Sequence, residues 1–195
     1  HRTQIRNRRK GMHCAALVGY TNAGKSTLFN AICGLSLQER VLAENKLFAT
    51  LDPTTRRLVL PQKGSAPNDL LITDTVGFIS ELPSTLMEAF RATLEETLEA
   101  DLLLVMVDLS NPDWQFQLNT VNDLLDSLEV NSTRQVIANK IDCCSSSALD
   151  AISRLNEKVI YVSAKSGAGL QSLRLWLQNH FWDPDSEFLL TALDS

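Results

Sequence analysis

The chain has 195 residues, 44% apolar, 21% charged and 6% aromatic, which excludes collagen, a disordered tail and a disulfide miniprotein and leaves room for one domain with a sizeable core. The net charge of −5 is unevenly spread: five of the 18 basic residues (Arg2, Arg6, Arg8, Arg9, Lys10) and no acid stand in the first ten positions. The other 185 residues therefore carry 13 basic against 23 acidic side chains, a net −10, so the body is not one that grips nucleic acid by bulk charge, although its leader can touch phosphates.

Apolar runs alternate with helical patterns, which predicts βαβ units and a largely parallel sheet with helices on both faces, an α/β class. The first strand covers 14–18 and ends at Gly19, and a helix follows over 25–33. A polar, irregular stretch fills about 36–56. Strands at 57–61 and 69–73 flank a Gly-Ser-Ala-Pro-Asn loop at 64–68. Leu82, Leu86, Ala89, Phe90, Thr93, Leu94 and Thr97 recur at helical spacing over 83–100. Residues 102–107 form a central strand. Asn111-Pro112-Asp113 opens the next helix, with Asn as cap and Pro in the first turn, and that helix runs to about Glu129. Strand 134–138, helix 147–157, strand 158–162 and helix 169–181 complete the alternation.

No apolar run approaches the ~20 residues of a bilayer span. The leader lacks the apolar core of a secretory signal. Cys14, Cys33, Cys143 and Cys144 contain no C-x2-C pair, so a zinc framework is not expected, and a reduced, cytoplasmic setting is. Position 1 is His, which suggests a longer parent. The expected organisation is a basic linker end at 1–12, one domain at 13–182 and the start of a C-terminal extension at 183–195, polar apart from Phe188, Leu189 and Leu190.

Four motifs carry chemistry. Gly19-Tyr20-Thr21-Asn22-Ala23-Gly24-Lys25-Ser26 is G-x-x-x-x-G-K-[ST] between a strand and a helix. Its backbone N–H groups and the positive end of the helix suit phosphate oxygens. Lys25 is expected to bridge the β- and γ-phosphates, and the Ser26 hydroxyl, followed by Thr27, to ligate Mg2+. In the second motif an apolar strand ends in Asp74, placed to hold a water on Mg2+, with the Gly77 N–H toward a γ-phosphate. The third, Asn139-Lys140-Ile141-Asp142, offers a carboxylate that accepts two hydrogen bonds from guanine's N1–H and amino group, which adenine cannot match. Lys140 would lie over the base. The fourth, Ser163-Ala164-Lys165, offers backbone amides to the guanine oxygen. Each motif alone also reads as a polar strand-to-loop cluster. Their shared position at carboxyl ends of strands, where open α/β sheets bind ligands, favours the ligand reading.

In this order the motifs resemble the P-loop GTPases of the translation-factor-related class. Gly19 through Asn30, then Leu47-Phe48-Ala49-Thr50-Leu51-Asp52-Pro53-Thr54, then Asp74-Thr75-Val76-Gly77-Phe78-Ile79, then Phe90-Arg91-Ala92-Thr93-Leu94-Glu95-Glu96 look like the HflX family, over 14 to 182. The resemblance implies a P-loop NTPase-type three-layer α/β/α sandwich with a mostly parallel central sheet. It also implies a monomeric GTP- and GDP-binding, GTP-hydrolysing switch that meets the ribosome, above all its large subunit, in splitting or in rescue of stalled or idle ribosomes. The alternatives are a ribosome-binding module whose nucleotide state only sets affinity, and another translation-related or RNA-modifying GTPase.

By the same resemblance Thr50 is the switch-I threonine on Mg2+, with Thr54 and Thr55 as rivals. Where many GTPases place a water-orienting Gln, this chain has Phe78, so slow intrinsic hydrolysis stimulated by the ribosome is expected, with Thr75 a candidate contributor. Asn22 together with Phe78 resembles GTPases that place K+ beside the phosphates; its other reading is a cap of the loop. His13 reads as surface, Cys143 and Cys144 as loop packing, and Trp114, Trp176 and Trp182 as core. Glu95, Glu96, Glu99 and Asp101 read as a solvated helix face.

Overall fold

A computed structural model describes residues 12–34, 54–60, 67–75, 77, 100–155 and 158–184. The apolar runs form β1 (His13–Gly19), β2 (Thr54–Leu60), β3 (Asn68–Asp74), β4 (Leu102–Asp108), β5 (Thr133–Asn139) and β6 (Val159–Tyr161). They make one sheet in the order β2-β3-β1-β4-β5-β6. β2 is antiparallel to β3 and the other pairs are parallel. Parallel pairing demands crossovers, and crossover helices cover both faces.

β4 shows why the core has two sides. All seven of its residues are buried. Leu103, Val105 and Val107 face one layer, which α2 (Trp114–Ser127) and α3 (Ser146–Ser153) cover with Trp114, Leu118, Val121, Leu125 and Ile152. Leu102, Leu104 and Met106 face the other, covered by α1 (Lys25–Ile32) and α4 (Leu170–Trp182) through Leu28, Phe29, Ile32, Leu173 and Leu177. This is the expected three-layer α/β/α arrangement. Trp114 is buried, and Trp176 and Trp182 are half-buried against the second layer. No helix among the described residues is long and apolar enough to cross a membrane.

The edge strand is fastened from outside the sheet. Arg174 on α4 donates from Nη1 to the Ile32 carbonyl (2.6 Å) and from Nη2 to the Val59 carbonyl (2.7 Å). One side chain thus satisfies an acceptor at the end of α1 and another on β2.

Several boundaries differ from expectation. β2 begins at Thr54, three residues early, because Thr54 and Thr55 pair with Asp74 and Thr73, and the Thr55 and Thr73 hydroxyls share a 2.8 Å bond across the strands. α2 begins at Trp114. Asn111 precedes it in a turn, its Oδ1 accepting from the Asp113 N–H (2.9 Å), so Asn111 orders the approach and is not the cap. α3 stops at Ser153, four residues short, and Arg154 closes it with its N–H on the Ala151 carbonyl. Ser145 caps its start by accepting from the Ala148 N–H (3.2 Å). β6 is shorter than expected by one residue at each end. Of the helix expected over 83–100, only Ala100 lies within the described residues, and it is buried.

At the pole opposite the motifs His13 and Asp101 are solvent-accessible as expected, and both also make specific contacts. His13 stacks on Phe181 (centroids 4.7 Å) and meets Trp182 edge-on (5.1 Å). Asp101 accepts from the Cys14 N–H (2.8 Å) and lies 3.9 Å from the His13 ring, so it ties β1 to the start of β4. Cys144 packs against the first layer as expected, whereas Cys143 is exposed.

Leu104 is fully buried at the centre, and Leu175 on α4 is 43% exposed. Leu104→Ala should lower unfolding stability by about 3 kcal/mol and Leu175→Ser by less than about 0.5 kcal/mol, read from urea titrations at constant m. Equal effects would contradict the layer assignment.

Candidate functional site

The sheet register brings the four motifs to one edge. Leu17 on β1 stands beside Asp74, Gly19 beside Met106, and Asp108 at the end of β4 beside Asn139 at the end of β5. The chain leaves β1 at Gly19, turns through 20–24 and enters α1 at Lys25. The first helical bond runs from the Leu28 N–H to the Gly24 carbonyl (2.9 Å). Gly24 has φ 90°, and a Cβ there would stand 2.3 Å from Asn139 Nδ2. Only glycine meets both demands.

That contact has a purpose. Asn139 is 2% exposed. Its Nδ2 donates to the Ala23 carbonyl (2.8 Å), and its Oδ1 accepts from the Ala164 N–H (3.0 Å). Asn139 therefore cross-ties the glycine loop to the 163–165 loop, and its Oδ1 and one of its N–H bonds are not aimed outward at a base. The Ser163 N–H is likewise taken by the Ala168 carbonyl (2.9 Å), which leaves Lys165 as the amide of that trio available to a ligand. Ser163 and Ala164 are buried and Lys165 is exposed.

Lys25 is buried, and its ammonium donates to the carbonyls of Gly19 (3.0 Å) and Tyr20 (2.9 Å). Burial pulls its pKa from 10.5 down to about 8, against the opposing charge of Asp74. Burial pushes the Asp74 carboxyl up. The Ser26 hydroxyl bond, the Lys25 charge and the Thr75 backbone bond work the other way. Asp74 Oδ1 is sealed from solvent with no hydrogen-bond partner among the described residues. Gly77 presses on the same loop: a Cβ on it would lie 2.9 Å from Lys25 Nζ and 2.9 Å from Thr21 Cα. No side chain fits between them.

The remaining residues divide. The Thr75 hydroxyl is buried and donates to the Leu17 carbonyl (2.6 Å). It ties the end of β3 to β1. Asn22 is exposed with φ 63°, a left-handed conformation that Asn tolerates. Tyr20, Thr21, Gly24, Ser26 and Thr27 are half-buried and Ala23 is fully buried. Lys140 also has a left-handed φ, 64°, and its ammonium pairs with Asp108 Oδ2 at 2.5 Å. Asp142 is exposed. Asp108 was passed over in the sequence, although it ends an apolar strand as Asp74 does. Thr50 and Phe78 lie outside the described residues. No group of three or more His, Cys, Asp and Glu suited to a metal occurs among the described residues.

Comparison with known proteins agrees with this geometry. The family described as 50S ribosome-binding GTPase matches residues 14–140. A GTPase HflX of Magnetococcus marinus is 50% identical over 159 residues, covering 81% of this chain and 35% of that protein. One of Alkalihalophilus pseudofirmus is 51% identical over 145 residues, covering 73% and 32%. The chain thus spans about a third of the length of these curated relatives. A GTP-binding protein from Sulfolobus solfataricus, solved in complex with GDP, aligns with TM-score 0.66 and 25% identity over 91% of this chain and 55% of that one. The FeoB G-domain from Methanococcus jannaschii shares the fold, with TM-score 0.57 and 20% identity over 86% of this chain and 96% of that domain. By its match over residues 14–140, the chain belongs to the 50S ribosome-binding GTPase family, and within it groups with the HflX GTPases.

Proposed function

We propose that the chain binds GTP and GDP with Mg2+, hydrolyses GTP, and uses that step as a switch on the large ribosomal subunit. The observation that carries the reading is the pair of buried charges, Lys25 and Asp74, with the half-buried Ser26 hydroxyl beside them and Asp74 Oδ1 without a hydrogen-bond partner among the described residues. A buried acceptor without a donor costs roughly 1–3 kcal/mol, and a hydrated cation relieves it. Ser26 and Asp74 offer a hydroxyl and a carboxylate, the hard oxygens Mg2+ prefers, with Asp74 acting through water. Bound Mg2+ neutralises charge on the β- and γ-phosphate oxygens.

Lys25 exchanges two backbone carbonyls for phosphate oxygens. Backbone amides of Gly19 through Thr27 surround the phosphates, and Gly77 meets the γ-phosphate through its N–H, its missing side chain making room. Asp142 accepts from guanine's N1–H and amino group, Lys140 covers the base, and the Lys165 amide meets the guanine oxygen. Asn139 holds the phosphate and base loops at a set separation. Thr50, by the family resemblance, would add a hydroxyl ligand to Mg2+ in the GTP state. With Phe78 where Gln is usual, hydrolysis is slow until the ribosome or a cation supplies the missing group. Asn22 is the candidate ligand for K+, and its left-handed turn supports the loop-cap reading equally. The ribosome enters through the family's description; splitting, rescue and a monomeric, cytoplasmic switch belong to the same proposal.

Lys25→Met should abolish GDP binding in titration calorimetry, and retained micromolar affinity would contradict the loop assignment. The same variant tests the buried charge. Both folded and unfolded Lys25 hold their proton below pH 8, so the burial penalty is fully present there. Between pH 8 and 10.5 the folded state releases the proton first, and stability rises with pH. The difference in stability between wild type and Lys25→Met, nucleotide-free, should shift by an amount of the order of 3 kcal/mol across that window. Taking the difference cancels Cys33, Cys144 and Tyr161, whose raised pKa values act in the opposite sense.

Asp142→Asn should turn preference from GDP toward XDP by about tenfold or more, because an amide donates to the xanthine oxygen; unchanged selectivity would remove Asp142 from the base. Turnover with and without large subunits, in KCl and in NaCl at equal ionic strength, separates the remaining readings. Stimulation by the subunit supports the switch, equal rates in the two salts remove K+, and nucleotide-dependent sedimentation without turnover favours the affinity module.

A further inference from the structure

Asp108 has three polar contacts and no part in the phosphate site. It ends β4, is 8% exposed, and stands beside Asn139 in the strand register. Its Oδ1 accepts from the Ser110 N–H (3.0 Å) and the Ser110 hydroxyl (2.6 Å), and its Oδ2 accepts from Lys140 Nζ at 2.5 Å. The Leu109 N–H donates to the Asn139 carbonyl (3.0 Å), so the backbones after β4 and β5 are joined beside the same pair. A carboxylate held by two donors from its own turn is fixed before the lysine arrives. Its side chain is 11% exposed, against 34% for Lys140.

We propose that Asp108 is the positioning residue for the base: it pins the Lys140 ammonium at the end of β4, so that the methylene stem of Lys140 lies flat as an apolar shelf for the guanine ring. This rests on the reading of Lys140 and Asp142 given above. A lysine stem covers apolar surface well when its charged head has somewhere polar to go, and Asp108 provides that place. The pairing has a second effect. Asp142 is two residues from Lys140 and must keep its carboxylate open for guanine. An unpinned ammonium would have Asp142 within its reach as an alternative partner, and pairing there would compete with the base. By holding the positive charge at β4, Asp108 keeps the selector free.

A double-mutant cycle on the chain tests this, with GDP, IDP and ADP as probes. Asp108→Asn in the wild-type background should weaken GDP binding by about tenfold, mainly through faster release. In the Lys140→Met background the same change should cost less than about twofold, because the group it acts through is gone. Ser110→Ala, which removes one donor from Asp108 and leaves the ion pair in place, should give a smaller loss in the same direction, also absent with Met at 140. It covers the case in which Asp108→Asn does not fold, as judged by thermal melting without nucleotide. Equal losses in both backgrounds, or no loss in the wild type, would overturn the proposal. A wild-type chain that binds ADP as well as GDP would overturn the guanine reading beneath it, and comparable affinity for GDP and IDP would remove Asp142 from the amino group while leaving the pinned shelf to be judged by the cycle.

Discussion

The two hydrogen bonds of the Asn139 side chain hold the site together. The residues they join, 23 and 164, are far apart in sequence and sit on loops that leave different strands. Each loop is short of regular structure and would be mobile by itself. The amide fixes them to the end of β5, a strand buried over its last five residues. The requirement for glycine at position 24 follows from this tie, because the Nδ2 group occupies the space of a side chain. The lysine after Asn139 and the aspartate two further on inherit their placement from the same anchored residue. The roles proposed for them, phosphate binding at one loop and base binding at the other, would thus fall at two ends of one frame.

Within that frame the site is electrostatically uneasy. Lys25 and Asp74 are both buried, and burial works against the charged form of each. The lysine finds relief on backbone carbonyls, whereas one carboxylate oxygen finds none among the described residues. An interior that keeps charges without full compensation stores free energy that a matching ligand can release. The ligand reading explains why such a pair persists at the edge of a largely apolar core.

Much of this was legible in the sequence. The G-x-x-x-x-G-K-S spacing requires a strand, a turn and a helix in that order, and each appears where the pattern sets it. The alternation of apolar runs gave the parallel sheet, and the acids ending two apolar strands marked its ligand-binding edge, one recognised and one not. What escaped were long-range pairings. The destination of the Asn139 amide depends on strand order, which alternation alone leaves open. Asp101 is exposed, as a charge on a solvated face is, but its bond to the Cys14 N–H, 87 residues away, was not legible. The bond from the Thr75 hydroxyl to the Leu17 carbonyl, 58 residues away, was likewise not legible. The early start of β2 escaped for a local reason: a pair of threonines is polar in composition yet well suited to a strand.

The aromatic stack at the far pole has a consequence for how the unit can be handled. His13 begins the first strand and Trp182 ends the last helix, and their rings are in contact. Among the described residues the start of β1 and the end of α4 thus lie side by side, at the pole away from the four motifs, an arrangement that favours insertion of such a unit into a loop of a carrier protein. Force applied between the two entry points would load the His13–Phe181–Trp182 stack and the first turn of β1 before it reached Lys25.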